Sequence, residues 1–417
     1  MAGTSPGMRI SRVIVESHFM LRPGTFALTA LLAALTAIGP LSTDMYLPSL
    51  PDIVRLLDTT SAKGQLTIST YLVGFAVGQI VYGPLSDRHG RRPVLLGAIA
   101  LYCIATLICM LSTSIEMLVA ARALQALGAC GSVVLARGVV RDLYSGARAG
   151  RELSLISSVM AVGPVLAPVV GGFLQTAFGW RSVFVLLALS GASAAAVVWF
   201  LLPETLALRA AEPVSFKSMI KSYRVVMRDS AFLAYTGLAT ACYAGLFAWI
   251  SVASFVLQNI YGLAPLDFGI VFSLGAVGYM TGTTIAARVV VRLGIDGTIG
   301  VGCVTMTIGG VAMVAAVALG LTSSLSLVIP MAVYLAGMGF VLPQSFAGAL
   351  TPFPDRAGAA SALLGFVQQT VAALCGVALG LLLGKTAWPL AIAVAFVAVA
   401  SLLLWLVTGK ARATARH

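Results

Sequence analysis

Long apolar runs alternate with short polar stretches along almost the whole chain. The runs are rich in Ala, Leu, Val and Gly, and each has roughly the 20 residues that an α-helix needs to cross about 30 Å of hydrocarbon. A membrane β-barrel would need segments of about ten residues with alternating polarity, so helices are the remaining spanning structure. Twelve transmembrane helices are predicted, at Phe26–Leu47, Gln65–Tyr82, Pro93–Leu111, Ile115–Leu135, Ser154–Phe178, Ser182–Leu202, Phe232–Leu257, Phe268–Arg288, Thr298–Leu321, Leu325–Gly348, Ala359–Leu383 and Pro389–Thr408.

The longest polar interruption, Leu206–Arg228, divides these spans six and six. An all-α membrane protein of two six-helix bundles is therefore predicted, since many transporters are built from such repeated units. A twelve-helix protein without internal symmetry is the alternative, because the halves share no strong residue-level repeat. The predicted division is a cytoplasmic segment 1–25, a bundle 26–202, a linker 203–231, a second bundle 232–408 and a cytoplasmic tail 409–417.

Composition and charge support a membrane location and indicate the orientation. The chain is 59% hydrophobic and only 10% charged, with a mean hydropathy of +1.00, whereas soluble domains are about 25% charged. Most Lys and Arg residues fall on the side of the N-terminus, and the opposite side has only Arg55, Lys63, Arg181 and Lys385. The positive-inside rule then places both termini in the cytoplasm. The net charge of +12 is thus mainly a topology signal, and no nucleic-acid partner is expected.

The sequence carries little that indicates enzymatic chemistry. It contains no GxxxxGK[ST] phosphate loop and no HExxH, and its GxSxG match, residues 3–7, lies ahead of the first predicted span. All six cysteines fall inside predicted spans, where they are expected to be small core residues. We therefore expect no cofactor, no metal and no enzymatic activity, and any uphill transport would draw on an ion gradient.

One acidic and one basic residue lie deep in predicted spans. Asp44 is the only one of fourteen acidic residues well inside a span, and Arg122 is its only deep basic candidate partner. Counted from the span ends near Leu50 and Ile115, both lie roughly 10 Å below the outer surface. A buried carboxylate is costly, so a proton site is predicted at Asp44 with Arg122 beside it. An ion pair that only fixes helix packing is the alternative.

The loop after the second span carries a dense motif. Residues 83–93 read GPLSDRHGRRP, which alone could be a tight turn with positive-inside charges. The full pattern resembles the GxLaDrxGrr signature of the major facilitator superfamily. The resemblance implies a conformational latch between inward-open and outward-open states, formed by Gly83, Asp87, Arg88, Gly90, Arg91 and Arg92.

Two further motifs resemble superfamily patterns in the fourth and fifth spans. Arg122, Gln125 and Gly128 match RxxQxxG. Residues 167–172, APVVGG, resemble the GPxxGG element of antiporters, with Ala167 where Gly is usual. The antiporter-type helix would use Pro164, Pro168, Gly171 and Gly172; a face of small packing residues is the alternative reading.

The family can be narrowed further. The segments LSTDMYLPSLP (41–51), RDLY (141–144), PET (203–205) and PFPDRAG (352–358) resemble the bicyclomycin and chloramphenicol resistance (Bcr/CflA) group of drug:proton antiporters. The resemblance implies proton and substrate coupling at Asp44 and Arg122, and proton-coupled efflux of small amphipathic compounds or drugs across the bacterial inner membrane. A proton-coupled importer of a small metabolite is the alternative. A monomer surrounded by lipid is expected.

The substrate-binding surface is the least determined part of the prediction. Tyr243 and Phe247 share one helix face at i,i+4 spacing. Together with scattered polar side chains they would form a mostly apolar pocket with a few hydrogen-bonding groups. The candidate substrate residues are Thr43, Asp44, Met160, Tyr243, Phe247, Gln344 and Gln368.

Overall fold

A computed structural model describes residues 21, 23–144, 146–206, 222–353, 356–384 and 386–413. Throughout these ranges the regular secondary structure is helical, with no strand. The main helices are α1 (Phe26–Asp44), α2 (Ser61–His89), α3 (Arg91–Leu111), α4 (Ile115–Leu143), α5 (Gly146–Phe178), α6 (Arg181–Leu201), α7 (Ser230–Phe255), α8 and α9 (together Pro265–Ala318), α10 (Leu325–Leu350), α11 (Ala357–Leu382) and α12 (Trp388–Val407). Twelve helices therefore cross the membrane, as predicted.

Gly294 divides α8 from α9. Its φ of 68° and ψ of 179° are not helical, and glycine adopts a positive φ without a steric penalty. The chain turns there without an intervening loop, so the eighth and ninth predicted spans become two helices of one hairpin. Gly90, with φ 99°, makes the corresponding turn between α2 and α3.

The helical path of the first span is longer than predicted. After Asp44 the chain continues through a 3-10 turn, Leu47–Ser49, and a short helix, Leu50–Leu56. Pro48 and Pro51 do not stop it, because proline fits the first turn of a new helix, where its missing N–H needs no partner. Asp44 thus lies about 18 Å along the path from Leu56 at 1.5 Å per residue. The carboxylate therefore lies 12 residues, and not about six, before the end of this path.

Capping side chains mark where α2 and α4 begin. The Thr60 hydroxyl accepts a hydrogen bond from the Lys63 amide, and Ser114 does the same for Met117. Such side chains satisfy amides that have no partner in the first turn. α2 thus begins four residues before the predicted start at Gln65, and α4 begins at Ile115, as predicted.

The two bundles, α1–α6 and α7–α12, meet mainly through α2 against α11 and α5 against α8. We call the end that carries the short Leu50–Leu56 helix the Asp52 end, and the end with the turn from α2 to α3 the Arg91 end. Four hydrogen bonds join the bundles in the half nearest the Asp52 end, from Ser69 to Ala373, Ser254 to Leu47, Gln258 to Pro48 and Ser273 to Val165. The bundles are thus held closed at the Asp52 end.

The boundaries of the polar segments stay predictions. Most of the N-terminal segment 1–25, residues 207–221 of the linker and the last four residues lie outside the described part of the chain. The side chain of Met160 is outside it as well.

Candidate functional site

Asp44 is the last residue of α1 and faces the space between the bundles. Its side chain is 7% exposed, and neighbouring Thr43 is equally buried. The carboxylate lies within electrostatic range of Tyr71 on α2 and Tyr243 on α7, so one helix of each bundle is close to it. It belongs to none of the ion pairs that the described side chains form.

Arg122 is fully buried on α4, and its partners are not carboxylates. Its Nη1 donates to the Ser42 carbonyl oxygen at 2.9 Å and to Gln125 Oε1 at 2.6 Å. Its guanidinium carbon lies 4.6 Å from the ring centre of Tyr46 and 4.3 Å from that of Tyr71. Aromatic faces attract cations, most strongly where water is excluded. The guanidinium is therefore held by two rings and two neutral acceptors.

A short network connects Arg122 to α3 and back to α1. Gln125 Nε2 donates to Thr106 Oγ1 at 2.9 Å, which fixes the amide so that its oxygen faces Arg122. The hydroxyls of Tyr102 and Ser42 lie 2.8 Å apart. Ser42 lies two residues before Asp44. Its carbonyl oxygen accepts a hydrogen bond from Arg122, and its hydroxyl is hydrogen-bonded to that of Tyr102. Arg122 therefore contacts the backbone that carries Asp44, and the ion pair of the alternative reading is not among those between described side chains.

Two Arg122 nitrogens remain unused in this arrangement. Nε and Nη2 are buried without a hydrogen-bond partner among the protein groups described. An unsatisfied buried donor is costly, especially on a charged group. This cost makes the guanidinium a ready donor to any acceptor that enters the site.

Four of the predicted substrate residues form an aromatic pair on α7 and two separate amides on α10 and α11. The Tyr243 and Phe247 rings are 4.7 Å apart on α7, with Phe247 6% exposed. Gln368 is buried on α11 and donates to the Ala239 carbonyl oxygen of α7 at 3.3 Å, so it spends part of its hydrogen-bonding capacity on packing. Gln344 is half-buried on α10, nearer the Arg91 end.

Gln369 was missed by the sequence reading. It is 8% exposed, its Oε1 has no partner within the described chain, and it lies beside the Tyr243 hydroxyl. The amide pair in QQT, residues 368–370, held the signal, but the sequence could not show which of the two amides lies beside Tyr243. An unpartnered buried acceptor beside an aromatic pair is a typical lining group of a ligand pocket.

Small residues let α5 touch the segment that carries Asp44. A Cβ on Gly171 would overlap the Met45 carbonyl oxygen, and one on Gly172 would overlap that of Pro265. In the same way, a Cβ on Gly269 of α8 would overlap the Pro168 carbonyl oxygen. Pro164 lies one turn earlier in the same helix. α5 therefore closely approaches the end of α1 in its own bundle and α8 in the other bundle.

The predicted latch loop is organised around Arg91, which is 7% exposed at the start of α3. Its Nη1 is 2.6 Å from Asp87 Oδ1 and donates to Ser86 Oγ at 2.5 Å. Its Nε donates to Asp142 Oδ2 of α4 at 2.9 Å. One guanidinium therefore joins the ends of α2, α3 and α4, and charge-assisted bonds of this kind are about twice as strong as neutral ones.

Glu204, just after α6, completes this cluster. Its carboxylate accepts hydrogen bonds from the Arg91 and Arg92 amides at 2.9 and 3.3 Å. An acidic group there is favoured by the free amides and the dipole of the helix. A Cβ on Gly90 would strike this carboxylate, so Gly90 is required for the contact. Arg92 reaches back to the Trp199 carbonyl oxygen.

Asp142 and Glu204 were not among the predicted latch residues. Both stand in segments that carried the family resemblance, RDLY and PET. The sequence could not connect them to the loop, because they are 51 and 113 residues away from Arg91. Gly83 and Arg88 lie at the end of α2, and a Cβ on Gly83 would meet nothing within 4 Å.

Comparison with known proteins identifies the family of this membrane protein. Residues 32–376 match the model of the Major Facilitator Superfamily, and the chain belongs to that superfamily. The "Uncharacterized MFS-type transporter YdgK" of Bacillus subtilis is 34% identical over 85% of this chain and 89% of its own. The "Chloramphenicol resistance protein" of Pseudomonas aeruginosa is 30% identical over 90% and 89%. The "Bicyclomycin resistance protein homolog" of Haemophilus influenzae is 28% identical over 84% and 88%.

These relatives confirm the resemblance to the bicyclomycin and chloramphenicol resistance group. The fold has matches among solved transporters as well. The nucleoside transporter NupG, solved as a point mutant, superimposes with a TM-score of 0.74 over 92% of this chain and 99% of its own, at 12% identity. The likeness at this identity concerns the fold alone. The shared fold is the two-bundle, twelve-helix fold of the superfamily.

Proposed function

We propose that this protein exports small amphipathic compounds, drugs among them, across the bacterial inner membrane in exchange for protons. The observation that carries the proposal is the position of Asp44, a buried carboxylate between the two bundles that shares none of the ion pairs of the described residues. Two relatives of the protein are named for resistance to chloramphenicol and bicyclomycin. These names support export as the direction of transport and drugs as the substrate class. The chain is a transporter and not an enzyme in this proposal, and one copy contains the whole pathway.

Asp44 is the proton carrier in the proposed cycle. An isolated carboxylate in a low-dielectric site is unfavourable, and protonation makes it neutral. When the site opens to the side of high proton concentration, Asp44 takes a proton and the substrate leaves. After the bundles rock to the other side, Asp44 releases the proton, and a new substrate binds. Exchange of this kind needs alternating access around one fixed site.

Arg122 positions the proton carrier in this proposal. Its bond to the Ser42 carbonyl oxygen fixes the end of α1, and Gln125 of its own helix orients the guanidinium. Its two free nitrogens can also bind a carbonyl or hydroxyl oxygen of a substrate. Tyr243, Phe247 and Gln369 form the facing wall, with an aromatic pair for the apolar part and an amide for a polar group.

We assign the Arg91 end to the cytoplasm, as the distribution of Lys and Arg indicates. The hydrogen bonds that join the bundles near the Asp52 end then lie on the periplasmic side of the site. The Arg91 cluster then holds the cytoplasmic ends of α2, α3, α4 and α6 as one body. It acts as the proposed latch by keeping this body rigid while the bundles move.

Transport in energised vesicles tests the proposal. Inside-out vesicles containing the protein should accumulate radiolabelled chloramphenicol when an interior-acid proton gradient is imposed, and a protonophore should abolish the accumulation. The Asp44→Asn protein should not accumulate the drug. Accumulation driven in right-side-out vesicles instead would favour the importer reading, and accumulation unchanged by the protonophore would exclude proton coupling.

A further inference from the structure

A groove opens on the lipid-facing side between α5 and α8, in the half nearest the Arg91 end. Its volume is about 470 Å³, and its lining is Val162 and Val165 of α5 with Val277, Met280, Thr281, Thr284 and Ile285 of α8. It begins where the tight contact of the two helices ends, next to the hydrogen bond from Ser273 to the Val165 carbonyl oxygen. The groove is therefore a continuation of the contact between the bundles, and it is open to the bilayer.

The wall of the groove is apolar in effect. Its two threonine hydroxyls are already occupied, since Thr281 donates to the Val277 carbonyl and Thr284 to the Met280 carbonyl, both at 2.8 Å. Val162, Val277 and Ile285 are exposed, by 44%, 46% and 43%. A hydrocarbon chain fits this surface, because the wall presents no free hydroxyl to it.

Exposed cations stand at the mouth of the groove. On α8 the lining residues Val277, Thr281 and Ile285 continue at helical spacing to Arg288 and Arg292, both exposed. On α5 the face of Val162 runs back through Leu155 to the exposed Arg151. Both helices therefore carry an apolar stretch along the groove wall, followed by arginine at the mouth.

The register of the two helices brings these cations to one depth. Val165 and Ser273 are level, because they share a hydrogen bond. Arg151 lies 14 residues before Val165, and Arg288 lies 15 residues after Ser273, in antiparallel helices. At 1.5 Å per residue both lie about 21 to 23 Å from that bond, towards the Arg91 end. One arginine from each bundle therefore flanks the mouth at the same level.

The nearby acids are already engaged. Asp296 pairs with Arg412 at 2.5 Å, and Glu152 accepts from the Thr29 hydroxyl at 2.7 Å. Arg151, Arg288 and Arg292 take part in none of the ion pairs between described residues. The three arginines outnumber Glu152, the one of these two acids without a cationic partner among the described ion pairs, so the mouth carries net positive charge beside an apolar groove.

We propose that this groove binds an anionic phospholipid, with one acyl chain along Val162 and Thr281 and the phosphate between Arg151, Arg288 and Arg292. The site lies between the bundles, so a bound lipid contacts both of them and stabilises the conformation in which the groove is open. Cations near a membrane surface attract anionic lipid electrostatically. The site is separate from the proposed transport site at Asp44.

Native mass spectrometry of the purified full-length protein tests the headgroup contact. The delipidated protein is titrated with phosphatidylglycerol and with phosphatidylcholine of the same chains, and phosphatidylglycerol should be retained preferentially. The R288Q/R292Q variant should lose this retention on the order of tenfold. R224Q/R228Q is the matched control, since it removes two exposed arginines of the same end before α7, and it should bind as the wild type does. Equal losses in both variants, or no preference between the lipids, would overturn the site.

The groove itself is tested by filling it. Thr281→Trp should weaken phosphatidylglycerol retention several-fold, whereas Thr305→Trp on α9, outside the groove, should not. Glycerol 3-phosphate, which carries the phosphate without the chains, should not displace the lipid. Unchanged binding in Thr281→Trp, or displacement by glycerol 3-phosphate, would show that no acyl chain occupies the groove and would refute the proposal.

Discussion

The guanidinium of Arg122 donates to the carbonyl oxygen of Ser42 at 2.9 Å, two residues before Asp44. A cation that paired with Asp44 directly would hold it as a carboxylate. Contact with the backbone fixes the position of Asp44 while leaving its oxygens free to exchange protons. This relationship between α4 and α1 is the reason for the first prediction.

Asp44→Asn should abolish transport that is driven by a pH gradient, because the amide keeps the shape but cannot titrate. The protein should still fold and should still exchange labelled for unlabelled substrate across proteoliposomes without a gradient. Asp267→Asn is the control, since that exposed acid lies in the first turn of α8. Gradient-driven transport by Asp44→Asn at the wild-type rate would remove Asp44 as the carrier.

The latch variants should follow an order set by their contacts. Arg91→Gln leaves Asp87 and Asp142 without their shared cation and should lower the free energy of unfolding by about 2 to 4 kcal/mol. Asp87→Asn should cost less, because the Asp87 side chain is 41% exposed and Arg91 keeps Asp142. Thermal unfolding in detergent measures both. Equal effects would mean that Arg91 is not the centre of the cluster.

Gly171→Ala should destabilise the protein by about 1 to 3 kcal/mol, because its Cβ would overlap the Met45 carbonyl oxygen. Transport should also fall, since α5 would displace the end of α1. Gly163→Ala is the matched control in the same helix, where a Cβ meets nothing within 4 Å; it should be neutral or stabilise by up to about 1 kcal/mol. Melting temperatures that do not separate the two variants would contradict the close contact.

Phe247→Ala should weaken substrate binding about three- to tenfold, as expected when an aromatic pair of about 1 kcal/mol is lost. The apparent KM should rise more than the maximal rate falls. Phe396→Ala on α12 removes the same ring from a position that is 72% exposed on the outer surface, and it should leave KM unchanged. Concentration-dependent uptake into vesicles gives both constants. A KM unaffected by Phe247→Ala would place the substrate elsewhere.

The orientation can be tested by labelling single cysteines in a variant without the six native thiols. A cysteine replacing Ser323, at the Asp52 end, should react with an impermeant maleimide added to intact cells. One replacing Lys410, at the Arg91 end, should react only after the membrane is made permeable. The opposite pattern would reverse the assignment of the Arg91 end to the cytoplasm.

The sequence by itself determined the number of helices, their order and the motifs that carry the family resemblance. These properties depend on local composition, since a span needs only a long enough run of apolar residues. Asp44, Arg122 and the glycines of the loop after α2 could likewise be recognised from the local sequence around them. A charge inside such a run is rare enough to be noticed without any partner.

Only the tertiary structure decided which groups meet. The partners of Arg122 and Arg91 come from residues up to 113 positions away along the chain, and hydropathy carries no information about contacts over such separations. The first helical path is longer than predicted because Pro48 and Pro51 start new helical turns where the end of the span was expected. Side-chain pairing in this protein depends on how helices pack and rotate against each other, and that is a property of the assembled bundles.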